Sequence, residues 1–91
     1  MPYITKKKRA LFNGYIQNIM DNIKHYSTSS SDSNSMMAYI IYKLIIDLFD
    51  KLNWDVKSDA LKILEDVKLE YYRRVLAPHA DLKIKINGDI Y

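Results

Sequence analysis

The sequence contains no cysteine, only two glycines and two prolines, and a single tryptophan. Without a thiol there is no disulfide framework, no thiolate nucleophile and no Cys-ligated zinc. Gly14 and Gly88 are too few for a phosphate-cradling loop or a dinucleotide-binding fingerprint, and no Gly-x-Ser-x-Gly elbow places a nucleophile. The only histidines, His25 and His79, lie far apart in sequence, and a site holding both would need long-range convergence and an acidic third ligand, so no metal, no cofactor and no catalytic residue is expected. The longest apolar run, Met36 to Phe49, is shorter than the roughly 20 residues a bilayer requires and carries Lys43 and Asp47, which argues against a membrane span. Met1-Pro2-Tyr3-Ile4 has no apolar signal region, and the absence of cysteine fits a reducing compartment, so a cytoplasmic location is expected. Fourteen basic residues against 11 acidic ones give a net charge of +3, an excess that permits an anionic partner without requiring one.

Ninety-one residues suffice for one small domain, 1–91, with one core. A chain of this size buries little more than ~60% of its unfolded surface, so self-association, most simply as a dimer, is an economical way to bury more.

Hydrophobic periodicity predicts a mainly α fold, three helices followed by a short extended or β-hairpin tail. The first helix spans about Lys6 to His25, capped by Thr5, with Phe12, Ile16, Ile19 and Ile23 at three- and four-residue spacing. Gly14 interrupts it, either as a close contact, a bend or a tolerated glycine. Ser27 to Ser35 is a polar tract predicted to be a flexible loop. The second helix, about Met36 to Leu52, is apolar over most of its circumference, and only Lys43, Asp47, Asp50 and Lys51 form a polar stripe. The third, about 56–76, starts from Asp55 or Ser58 and should stop near Leu76, because Pro78 disfavours helical geometry in the residue before it. Ile41, Leu44, Leu48, Leu64, Val67 and Tyr71 are the expected core, and Leu44→Ala should then cost about 2 to 5 kcal/mol. In the tail, 78–91, Leu82, Ile84 and Ile86 alternate with Lys83 and Lys85, the two-residue repeat of a strand, and Asn87-Gly88 suits a type I′ turn.

Three basic groups stand out: Lys6-Lys7-Lys8-Arg9, the pair Arg73-Arg74, and Lys83 with Lys85. Arginine's planar fork bonds phosphate in bidentate fashion, and a neighbouring tyrosine can stack on a base. Arg73, Arg74, Tyr72, Lys83, Lys85 and Arg9 are therefore the candidate binding residues for a nucleic acid or nucleotide. Against this, cations near a helix C-terminus also complement its dipole, and lysine runs keep small proteins soluble.

The string Lys68-Leu69-Glu70-Tyr71-Tyr72-Arg73-Arg74-Val75, then Pro78, Asp81, Lys83-Ile84 and the terminal Asn87-Gly88-Asp89-Ile90-Tyr91, resembles a family of short uncharacterised proteins of bacteriophages and bacteria, a domain of unknown function. Met1-Pro2-Tyr3-Ile4 with Arg9 is similar to that family's start. The chain departs from it at Pro78-His79-Ala80 and at Ala38-Tyr39. The resemblance implies a phage-type accessory protein in the host cytoplasm and supplies no catalytic residue. Two functions follow as expectations: a non-enzymatic protein that binds a phosphate-bearing ligand through its arginine and tyrosine surface, or a module or inhibitor that binds a host or phage protein through helix two and the tail.

Overall fold

The computed structural model describes residues 2–49 and 54–91, and at Asp55 the backbone alone. The expected end of the second helix at Leu52, and Asp50 and Lys51 of its polar stripe, lie outside the described residues. The chain divides into two compact units: Tyr3–Lys57, and Ser58–Tyr91 with the extreme N-terminus.

In the first unit, α1 (Lys6–Tyr26) and α2 (Ser30–Phe49) pair as a helical hairpin. Thr5 caps α1 as its sequence predicts, its hydroxyl accepting from Lys8 N–H at 3.3 Å. The joint corrects the sequence reading: only Ser27, Thr28 and Ser29 are non-helical, and the remaining serines open α2, six residues before Met36. Serine and aspartate compete with a helix in its interior but satisfy its orphan donors at the N-terminus. Ser29 Oγ accepts from Asp32 N–H at 3.1 Å, and the Asp32 carboxylate reaches back to accept from Thr28 N–H at 3.0 Å, a near relative of the capping box. Ser27 closes α1 with its N–H on Ile23 O at 2.9 Å, and its hydroxyl also bonds that carbonyl while accepting from Ser33 Oγ at 2.9 Å. The predicted flexible loop is therefore a bonded turn. A single turn, α3 (Trp54–Lys57), follows within the same unit.

The second unit is built on α4 (Asp59–Tyr71), a π-helical turn (Tyr72–Leu76) and α5 (Ala77–Asn87). Ser58 sits at the cap position of α4, but its backbone is already right-handed helical and its side chain makes no capping bond there. Two expectations fall here. The chain does not leave the helix near Leu76, and residues 82–86 are helical rather than extended; no strand occurs among the described residues. Pro78 in an α-helix would clash with the carbonyl four residues back and leave it without a donor. The wider turn answers this: Ala77 N–H bonds Tyr72 O, five residues back, and Pro78 falls in the first turn of α5, where its missing N–H is not needed. Asn87-Gly88 ends α5 instead of turning a hairpin, with Gly88 at φ 86° and its N–H on Ile84 O at 2.8 Å. Both uses exploit glycine's left-handed freedom, so the dipeptide does not discriminate between them.

The expected core is not formed. Ala60 is the one buried residue among those described, and Ile41, Leu44, Leu48, Leu64, Val67 and Tyr71 are all exposed, Leu48 to 70%. Periodicity identifies which side of a helix is apolar, not whether a neighbour covers it.

Candidate interaction surfaces

On the hairpin, Ile19 and Ile23 of α1 are one turn apart and face Met36 and Ile40 of α2, also one turn apart. With Tyr26 and Tyr39 they line an open groove of about 460 Å³, to which polar atoms contribute little. Ser27 Oγ meets Met36 Sδ at 3.6 Å and ties the closed end of the hairpin to the groove floor. No lining side chain carries a charge, so an occupant gains contact area without desolvating an ion. Outside the groove, α1 exposes Leu11, Phe12 and Tyr15, and α2 exposes Tyr42, Leu44 and Leu48. The sequence places apolar surface on helix two and the tail; the groove is shared with α1, whose three- and four-residue spacing of Ile16, Ile19 and Ile23 marks that side.

The candidate phosphate-binding residues do not converge. Tyr72, Arg73 and Arg74 lie on the π-helical turn, while Lys83 and Lys85 lie on α5, about ten residues or 15 Å further along the axis. A strand would have set both lysines on one face; a helix turns them about 160° apart. The Arg73 guanidinium bonds the Glu70 carboxylate through both Nη2, at 2.6 Å, and Nε, at 3.4 Å. Its fork is thus committed to a carboxylate within the same helix. Arg74 lines a shallow depression with Pro2, Val67, Glu70, Tyr71 and Val75. Arg9 stands on α1, in the other unit, and is exposed.

Three further charged pairs are local: Lys43 with Asp47 at 3.1 Å, Lys62 with Asp59 at 3.4 Å and Lys68 with Glu65 at 3.9 Å. The hydrogen bond to Asp47 and that carboxylate's charge hold the Lys43 ammonium above its ordinary pKa. Such exposed pairs tune helices and perform no chemistry. Among the described residues no three His, Asp or Glu side chains gather to hold a metal ion, and no helix is long and apolar enough to cross a membrane.

A family model for a domain of unknown function, DUF6899, matches residues 1–90. The chain belongs to that family. No curated protein and no solved structure matches it. Membership in DUF6899 agrees with the resemblance drawn from the two termini, in that both point to an uncharacterised family, and it assigns no activity to any residue.

What the geometry provides is apolar surface. Leu11, Tyr15, Leu44, Leu48 and Leu61 are each more than 60% exposed.

Proposed function

We propose that this DUF6899 chain is a non-enzymatic interaction module, a phage-type accessory protein of the host cytoplasm, that binds a protein through the α1–α2 hairpin. One observation carries the reading: the hairpin presents an uncharged apolar groove with large apolar and aromatic side chains on both rims. Aromatic residues and methionine are the side chains enriched where proteins dock. The groove is open along its length, which suits a helix or strand of a partner better than an enclosed small molecule.

Binding of a nucleic acid or nucleotide by Arg73, Arg74, Tyr72, Lys83, Lys85 and Arg9 is the weaker reading, because Arg73 is engaged by Glu70 and the two lysines diverge. One comparison separates the two. Labelled oligonucleotides and a nucleotide panel are titrated at low and moderate salt, and partner capture from host extract is compared for wild type, Tyr39→Glu and the double variant Arg73→Ala/Arg74→Ala. The docking reading expects no saturable oligonucleotide binding, and a captured partner lost in Tyr39→Glu but kept in the arginine variant. Salt-sensitive oligonucleotide binding abolished by the arginine variant would overturn it.

A further inference from the structure

The continuous helix α4–π–α5 carries an apolar stripe of its own, separate from the hairpin groove. Leu64, Val67, Tyr71, Val75 and Leu82, with His79 between the last two, follow at steps of three, four, four, four and three residues. Each four-residue step in an α-helix overshoots a full turn by about 40° and each three-residue step falls about 60° short, so over the 18 residues from Leu64 to Leu82, about five turns, the six positions stay on one side of the axis. The π-helical turn lies across that interval, and its wider turn accommodates an extra residue. Arg73, half a turn from Tyr71, points away from the stripe. The five apolar members are 39% to 57% exposed, and Pro2 lines a depression with Val67, Tyr71 and Val75.

The stripe has two further properties. Its spacing reads the same in both directions about residue 73, so an antiparallel copy sets Leu64 opposite Leu82, Val67 opposite His79 and Tyr71 opposite Val75. The helix is also electrically two-ended. The α4 half, residues 59–71, has four acids against two bases, and residues 72–87 have four bases against one acid. Parallel pairing would put like ends together, while antiparallel pairing puts the acidic half of one copy on the basic half of the other. From this we infer that the partner of this face is a second copy of the chain, packed antiparallel about a two-fold axis near Arg73. A standard interface takes about 800 Å² from each partner, and on this helix the half-exposed apolar residues of the stripe are the surface available to supply it. The stripe and the hairpin groove share no residue, so the inference is tested separately from the docking reading.

The absence of cysteine makes the test clean. The full chain is sized by light scattering after gel filtration at tens of micromolar, and Leu64→Cys alone is compared with Leu64→Cys/Leu82→Cys under mild oxidation. Positions 64 and 82 lie about 27 Å apart along one helix, too far for a bond within a chain. The inference expects a mass twice 10.7 kDa, a covalent dimer from the double variant and none from the single one. The pair Val67→Cys/His79→Cys gives a second register point if the first double variant loses helicity. A monomer mass overturns the inference. Cross-linking of Leu64→Cys alone overturns the antiparallel arrangement, and a dimer that neither pair cross-links overturns the use of this face.

Discussion

Leu44→Ala tests whether the apolar face of α2 is open in the isolated chain. Leu44 is 62% exposed, so little more than a third of its side chain has left water. Full burial of a leucine is worth about 1.5–3 kcal/mol, which scales here to about 0.5–1 kcal/mol. Alanine's slightly better helix propensity returns a small part of this, and an open face leaves no enclosed cavity to add a second term. The expected cost is therefore about 0.5–1 kcal/mol, well below the 2 to 5 kcal/mol of a leucine sealed in a core. With a urea slope of about 1 kcal/mol per molar, typical of the smallest proteins, the midpoint should fall by roughly 0.5–1 M with the slope unchanged. Unfolding followed by circular dichroism at several protein concentrations reads this directly. A loss above 2 kcal/mol, or a loss that grows with protein concentration, would mean that this face is covered and would refute the reasoning.

Three further outcomes follow from local geometry. Ser29→Ala removes the oxygen that accepts from Asp32 N–H and should cost about 1 kcal/mol, with faster hydrogen exchange at the start of α2. Gly14→Ala should stabilise α1 by about 1 kcal/mol and raise the melting temperature, because an added Cβ meets nothing within 4 Å; a lower melting temperature would show that Gly14 serves a contact or a bend. Lys43 has a folded-state pKa above its unfolded value of 10.5, because of the hydrogen bond and then the charge of Asp47. The contribution of the pair is therefore fully present below pH 10.5 and is lost as pH rises through the raised value. Nuclear magnetic resonance titration of the Lys43 side chain should accordingly show a lower midpoint in Asp47→Asn.

The helices were legible wherever a cap and a period agreed. Thr5 followed by the isoleucines of α1 defines both the start and the inner face of that helix. The start of α2 was missed because composition was weighed without position: Ser29 and Asp32, three residues apart, are a cap signature hidden within a tract that reads as a linker. The core was missed for a different reason. Leu44, Leu48 and Val67 do lie on apolar faces, but those faces are exposed, and a single sequence carries no direct record of what covers them. The candidate site suffered from the tail: assigning residues 82–86 to a strand placed Lys83 and Lys85 side by side, and the helix separates them.

Pro78 is where local rule and long-range pattern conflict, and the conflict carries the information. A proline at this place normally ends the preceding helix, and the three-residue periodicity of α4 does drift out of phase before reaching it. Treated as two elements, the halves appear as an amphipathic helix and an alternating tail with no face in common. The π-helical turn meets the proline's demand, since it moves the carbonyls that the ring would strike, and the three-residue steps at either end of the stripe offset the overshoot of the four-residue steps between them. Tyr71, Val75 and His79, whose four-residue steps look like phase error under a strict 3.6-residue period, become successive members of one stripe. With Leu64, Val67 and Leu82 they read the same in both directions about Arg73, the spacing that an antiparallel copy of the same helix would match.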